Sequence, residues 1–334
     1  MRTARRRRRI PTGRGLSLAT ASTSRDPLDH ADFGTFQPAT GVHIRYAHVP
    51  PASDAPPRGQ LLLLHGRGEF IEKYDEVIGE LTARGWAIWT MDWRGQGLSS
   101  RALRNAHKGH VDDFEDYLYD LDAFVTRFMS PDPTRSPCVI LAHSMGGHLA
   151  LRYLARHPGR FSGAVLSAPM VGVHAPLPEW LMELLLGAAV RLGLGGLYLV
   201  GDDHGPEDRA FHSNLLTRDP ARFQRTQARI DENPQLAIGG LTVGWMSAAL
   251  RSMRRLFDEG AIEALTTPVL MVCAGHDQRV ANAPAMELAR RLVGGRVQVI
   301  PDAEHELMME RDDVRDRFWA LFRGFVDEVA PRVR

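Results

Sequence analysis

Cys138-Val-Ile-Leu-Ala-His-Ser144-Met-Gly-Gly-His148 is the stretch on which the reading of this chain turns. An apolar run fit for a buried strand stops, a single Ser follows, and a helix-compatible segment starts at once. So sharp a turn strains the serine backbone, and the residues two before and two after it must be small. Ala142 and Gly146 hold those places. Glycine at both is the usual pattern, so Ala142 departs from it while staying small. The geometry exposes the Ser144 Oγ at the sheet edge and aims the following helix's N-terminal dipole at it. A Ser that merely caps a helix would fit the same eleven residues. The surrounding sequence has to decide.

Outward from this turn, apolar runs recur at Gln60–Leu64, Trp86–Met91, Ala164–Ser167, Val269–Cys273 and Val297–Ile300. Unbroken runs of this length suit strands buried on both faces of a parallel sheet. Helical patterns separate them: Ile71–Arg84, Asp112–Met129, Met145–His157, Pro284–Leu292 and Asp313–Val329. Two short antiparallel strands are expected within Phe33–Val49, before a turn-rich link at Pro50–Pro57. Strands alternating with helices predict an α/β fold with an open, doubly wound sheet. Between Pro169 and Thr267 the alternation stops, and the sequence looks helical and loop-like without a good strand. That places a helical lid at 170–267, inserted into a core made of 32–169 and 268–334.

In an α/β-hydrolase fold of this kind the acid and base follow the serine, each on a loop at a strand's C-terminal end. Val269–Cys273 leads to Ala274-Gly-His-Asp277, and Val297–Ile300 leads to Pro301-Asp-Ala-Glu-His305. Both places hold the required residue type in the required order. Ser144 is therefore expected as nucleophile, His305 as base and Asp277 as the residue orienting it. Asp302 and Glu304 neighbour His305 in sequence, but no separate strand end positions either of them. The run Leu61–Leu64 ends in His65-Gly66-Arg67-Gly68-Glu69, a turn that could present an amide to a developing oxyanion. The oxyanion hole is assigned to the amides of Arg67 and Met145. Asp92-Trp-Arg94-Gly-Gln-Gly97 reads as a loop tied by an Asp–Arg contact. Gly201–Asp208 reads as a solvated acidic turn, since it lacks the fixed ligand spacing of a Ca²⁺ loop. No cofactor or metal is expected.

Composition narrows the partners. Of 41 Lys and Arg, seven fall within residues 1–15, where there is no acid; 34 basic against 40 acidic residues remain. The body of the chain is thus mildly acidic, which disfavours nucleic acid. Residues 1–31 are expected to be a disordered basic tail. Only two Lys accompany 39 Arg, a skew that resembles codon bias. No apolar run follows the arginines, so no secretory signal is expected. Cys138 and Cys273 lie in apolar strand runs, which predicts buried free thiols and a reducing cytoplasm. Trp180–Val200 is too interrupted by Glu183, Arg191 and glycines for a membrane span. Contact with the inner membrane is then at most peripheral, through the lid.

LLLLHGRGEFIEKY, MDWRGQGLSSR, HKGHVDDFEDYLYDLDAFV, LAHSMGGHLALRYLARHPGRFSGAVLSAPM and NPQLAIGGLTVGW together resemble the bacterial lysophospholipases related to monoacylglycerol lipases. The resemblance runs from about Phe33 to Val329. It implies hydrolysis of single-chain acyl esters of glycerol or glycerophosphate, with Ser144, Asp277 and His305 as the triad and no cofactor. A generic carboxylesterase, a thioesterase and an aminopeptidase remain open on the same fold. The lid leans toward a lipid: Trp180–Leu186 and Leu192–Val200 are apolar, whereas an aminopeptidase needs acidic groups for the substrate's amine. These apolar residues either pack the lid on the core or line an acyl tunnel.

Overall fold

The computed structural model describes residues 26–52, 58–203, 210–257, 260, 262 and 265–331. The chain opens with a hairpin, β1 (Asp32–Ala39) and β2 (Val42–Val49), followed by β3 (Gly59–Leu64), α1 (Asp75–Thr82), β4 (Trp86–Met91) and α2 (Glu115–Phe124). Then come β5 (Cys138–His143), α3 (Met145–Arg156) and β6 (Gly163–Ser167). An insertion carries α4 (Glu179–Arg191), β7 (Tyr198–Val200), α5 (Pro220–Glu232), β8 (Leu241–Thr242) and α6 (Val243–Phe257). The chain returns to the core through β9 (Val269–Ala274), α7 (Asn282–Arg291), β10 (Gly295–Ile300) and α8 (Asp312–Val329).

Eight strands form one sheet in the order β1-β2-β4-β3-β5-β6-β9-β10. The β1–β2 and β2–β4 pairs are antiparallel and the other five parallel. Parallel strands need both faces covered, and the residues show how. Leu62, Leu64, Ile140 and Ala142 point into a core shared with α2, α3 and α6. Leu61, Leu63, Val139 and Leu141 point into the opposite core, shared with α1 and α8. An apolar residue is therefore required at each of positions 61–64 and 139–142, and this is why β3 and β5 read as unbroken runs.

The insertion departs from expectation in one respect and decides between two readings in another. It contains a short antiparallel pair, β7 with β8, joining Tyr198 to Thr242 and Val200 to Leu241. At two or three residues each, these strands are too short for a period-two pattern to register. The long apolar run, meanwhile, packs on the core only in part, through Leu186 with Met182 and Val190 beside it. Of Trp180–Leu186 only Leu186 is buried; Trp180 is 68% exposed and Leu192 78%. The other half of the insertion is held by charge. On α5, Arg222 meets Glu76 at 2.8 Å and Asp312 at 2.7 Å, and Arg229 meets Asp75 at 2.9 Å.

Part of the span expected to be a tail, 1–31, is folded. Residues 1–25 lie outside the described residues, but Pro27–His30 form a 3₁₀ turn that buries Leu28. Asp26 caps that turn and pairs with Arg229. The acidic stretch Gly201–Asp208 is described only through Asp203, and Gly201, Asp202 and Asp203 are exposed.

Candidate active site

β5 delivers Ser144 with φ 50° and ψ −116°, a conformation costly for a residue with a Cβ. Three backbone hydrogen bonds hold it there. Its amide donates to the Ser167 carbonyl at 3.0 Å, and its carbonyl accepts from Met170 at 3.0 Å and His148 at 3.1 Å. Gly146 is obligatory: a Cβ would lie 2.6 Å from the carbonyl oxygens of both Leu64 and His65. Closeness of this helix to the end of β3 is thus what brings the His65–Glu69 turn beside Ser144.

Asp277 and His305 arrive from the loops after β9 and β10. His305 Nε2 lies 3.0 Å from Ser144 Oγ, and His305 Nδ1 lies 2.7 Å from Asp277 Oδ2. The other Asp277 oxygen accepts the amides of Arg279 at 2.8 Å and Val280 at 2.9 Å. Burial works to raise the Asp277 pKa, but the His305 hydrogen bond and these amides outweigh it and hold it below the usual carboxylate value. All three side chains are nearly enclosed, with Ser144 9% exposed. Asp302 and Glu304 turn elsewhere: Asp302 pairs with Arg317 at 2.8 Å and Glu304 with Arg218 at 3.1 Å.

In the His65–Glu69 turn, the Gly66 amide donates to Glu69 Oε2 at 2.5 Å and the Gly68 amide to Gln96 Oε1 at 2.7 Å. The Arg67 amide between them has no acceptor among the described residues. Met145, with the other amide assigned to the oxyanion, is the first residue of α3, where N–H groups have no partner within the helix.

Behind the turn lies a buried charge network that the sequence reading missed. Lys73 Nζ sits 2.7 Å from Glu69 Oε1 and 2.5 Å from Glu306 Oε1, while Tyr74 Oη donates to Glu69 Oε2 at 2.8 Å. Glu69 thereby anchors the Gly66 turn, and Glu306 adjoins His305. The i,i+4 spacing of Glu69 and Lys73 was visible, but the third member lies 233 residues from Lys73. Burial raises Glu306, whereas Glu69 is held low because Lys73 outweighs its burial. Ligand atoms of Glu69, His143 and Glu306 lie within 4.8 Å of one another, close enough for a metal ion. The Lys73 ammonium already bridges the two carboxylates, and burial pushes His143 down to about 4, so it is neutral near pH 7. Lys73→Met should leave two buried carboxylates without a counter-charge and destabilise the fold by about 3–5 kcal/mol. Urea unfolding followed by circular dichroism measures this; a midpoint equal to the parent's would mean the network contributes no stability.

The Asp92–Gly97 loop is not tied as expected. Arg94 reaches α2 instead, with both contacts to Asp120 at 2.6 Å. Asp92 is a separate hub, taking the Ile71 and Leu98 amides at 3.1 and 2.9 Å and the Arg45 guanidinium at 3.1 Å. Cys138 and Cys273 are buried free thiols, as expected, and burial pushes each up to about 12. Among the described residues no helix is long and apolar enough to cross a membrane.

A mostly parallel eight-stranded sheet with a strained serine at the β5–α3 turn defines a serine hydrolase of the α/β-hydrolase superfamily. The chain belongs to the family described as serine aminopeptidase S33, whose model matches residues 55–312. It is 31% identical over 263 residues to lysophospholipase L2 of Escherichia coli K12, covering 76% of each chain. It is 30% identical over 280 residues to the monoacylglycerol lipase of Mycolicibacterium smegmatis, covering 83% of this chain and 90% of that one. In structure it resembles a soluble variant of Saccharomyces cerevisiae monoglyceride lipase solved with a substrate analogue. The TM-score is 0.70 at 19% identity, over 89% of this chain and 94% of that one. The chain is an ester hydrolase of this group.

Proposed function

We propose that the chain hydrolyses the ester of a monoacyl lipid, a lysophospholipid or monoacylglycerol, through an acyl-enzyme on Ser144. The continuous hydrogen-bonded path from Ser144 through His305 to Asp277 carries this reading. His305 Nε2 takes the Ser144 proton as Oγ attacks the ester carbonyl carbon. The oxyanion forms against the amides of Arg67 and Met145. The proton then passes from His305 to the leaving glycerol oxygen, and the C–O bond breaks. Water, deprotonated by the same His305, attacks the acyl carbon and releases the fatty acid.

Two observations favour a lipid over an aminoacyl substrate. The buried carboxylates Glu69 and Glu306 are both bound by Lys73, and neither lines the cleft between α4 and α6. Between α4 and α6 lies a cleft of about 1070 Å³ with Trp180, Leu184, Val190, Leu250, Met253 and Phe257 in its wall, alongside the charged Glu179, Glu183, Glu287, Arg191, Arg251 and Arg254. Its inner wall includes Val171, next in sequence to the residue whose amide binds the Ser144 carbonyl. In this reading 170–267 is a lid, the cleft receives the acyl chain, and the exposed Trp180, Leu184, Leu185 and Leu192 rest on a lipid surface.

Each methylene entering the cleft should contribute up to about 0.8 kcal/mol. The expected result is a kcat/KM that climbs from acetyl toward dodecanoyl monoesters, measured below micelle-forming concentrations, and then levels off. Diacyl phospholipid should be a poor substrate. A flat profile, or preference for acetyl, would leave a generic esterase; preference for an aminoacyl amide would move the chain to the peptidase reading. Sedimentation with anionic vesicles should weaken in Trp180→Ser/Leu192→Ser, and undiminished binding would remove the lid from the contact.

A further inference from the structure

Arg67 has a side chain that hydrolysis of the ester bond does not use. Its Nη2 donates to the carbonyls of Gly240 at 2.6 Å and Gly239 at 3.3 Å, and its Cζ stands 5.2 Å over the Trp245 ring. Those glycines let the chain fold tightly here, since a Cβ on Gly240 would lie 1.9 Å from the Val200 carbonyl. Arg67 Nε is buried without a hydrogen-bond partner. No carboxylate of a described residue pairs with this guanidinium, and burial lowers its pKa to about 10, so it stays charged at neutral pH. Arg45, Arg94 and Arg315 instead meet acids, Glu72 with Asp92, Asp120 and Glu76 in turn, whereas Arg101 resembles Arg67 in donating to carbonyls, those of Gly97 and Gln235.

Further unused donors stand beside it. Trp245 Nε1 and Tyr117 Oη are both buried with no well-formed hydrogen bond, although the Trp245 and Gln96 side chains lie close enough to Tyr117 Oη to offset part of the burial that pushes its hydroxyl up to about 12. Phe114 packs against both rings, at 5.5 Å from Trp245 and 5.2 Å from Tyr117. The Gln96 amide, beside Tyr117, also reaches the Met145 sulfur at 3.8 Å. A guanidinium and N–H or O–H groups thus share one corner without an anionic acceptor, and buried donors left unmade are costly. An oxygen-rich anion is the chemistry that would complete it, and arginine's planar fork matches phosphate.

We propose that Arg67, with Trp245 and Tyr117 at its inner end, binds the phosphate of a lysophospholipid head group and makes the enzyme prefer it to a monoacylglycerol. This rests on the monoacyl-lipid reading above. In a 1-acyl lysophospholipid about six bonds separate the ester carbonyl carbon from phosphorus, and the same number separate the Arg67 amide nitrogen from Cζ. One residue can therefore hold the carbonyl oxygen by its backbone and the phosphate by its side chain.

The test compares kcat/KM for 1-dodecanoyl-glycerol 3-phosphate and 1-dodecanoyl glycerol, both below micelle-forming concentrations. In Arg67→Gln the ratio of the two should fall by about ten-fold or more, and in Arg67→Lys by less, because the charge stays and the fork is lost. Tyr117→Phe, which leaves the guanidinium in place, should lower the ratio a few-fold. Glycerol 3-phosphate should inhibit the wild type competitively and lose this effect in Arg67→Gln. Equal losses on both substrates, or an unchanged ratio, would make Arg67 a structural tie only and overturn the proposal. Should the wild type hydrolyse neither lipid but cleave short esters, the lipid reading fails. Arg67-dependent inhibition of short-ester cleavage by glycerol 3-phosphate would then support the phosphate site, and its absence would overturn it.

Discussion

Ser144→Ala is expected to lower ester turnover by about 10³-fold or more while leaving the fold intact. Both halves follow from the same geometry. The Ser144 hydroxyl makes its hydrogen bond to His305 Nε2, whereas the groups that hold the turn are backbone: Ser167, Met170 and His148. Alanine keeps those three bonds and the strained φ, and loses only Oγ. Circular dichroism and the unfolding midpoint should therefore stay close to the parent's, while labelling by a fluorophosphonate probe disappears. Activity near the parent level in a clean preparation would sink the assignment of the nucleophile.

How far the sequence reaches can be seen from particular residues. That Ser144, Asp277 and His305 meet was legible because each follows an apolar run at a strand's end, so one local pattern places all three on the same edge of the sheet. The strands of the parallel sheet were legible because residues such as Leu61 and Leu62 are both buried, in opposite cores. Less could be read where partners are distant. Arg94 meets Asp120 on α2 rather than its near neighbour Asp92, a choice made by how α2 packs. Lys73 meets Glu306 only because the turns after β3 and β10 come together. The apolar run of α4 was visible as composition, but whether it faced core or solvent was not. Its helix is apolar on more than one side, so periodicity could not choose a buried face.

Asp277→Asn should reduce kcat by roughly 10⁴-fold, the scale set by the corresponding change in a well-studied serine protease triad. One Asp277 oxygen is already committed to the amides of Arg279 and Val280. In the asparagine variant the carbonyl oxygen keeps those two donors, and the NH₂ group is left facing His305 Nδ1. An NH₂ cannot accept a proton there, so Nδ1 must become the acceptor and the ring's proton moves to Nε2. Nε2 then faces Ser144 Oγ as a donor and can no longer act as base. The variant also loses the negative charge that stabilises the imidazolium during attack. Asp302→Asn and Glu304→Gln provide the contrast. Asp302 forms a partly exposed pair with Arg317, and Glu304 pairs with Arg218, away from the imidazole. Pairs of this kind contribute about 0–1 kcal/mol, so each variant should retain most of its kcat. The three variants are compared by kcat on one short monoester across a pH series. A collapse in Asp302→Asn with Asp277→Asn nearly unaffected would reverse the assignment of the orienting carboxylate. A rise in the Asp277→Asn rate at high pH would fit the tautomer account, since hydroxide can replace the missing base, and a complete absence of activity at every pH would argue instead for a damaged fold.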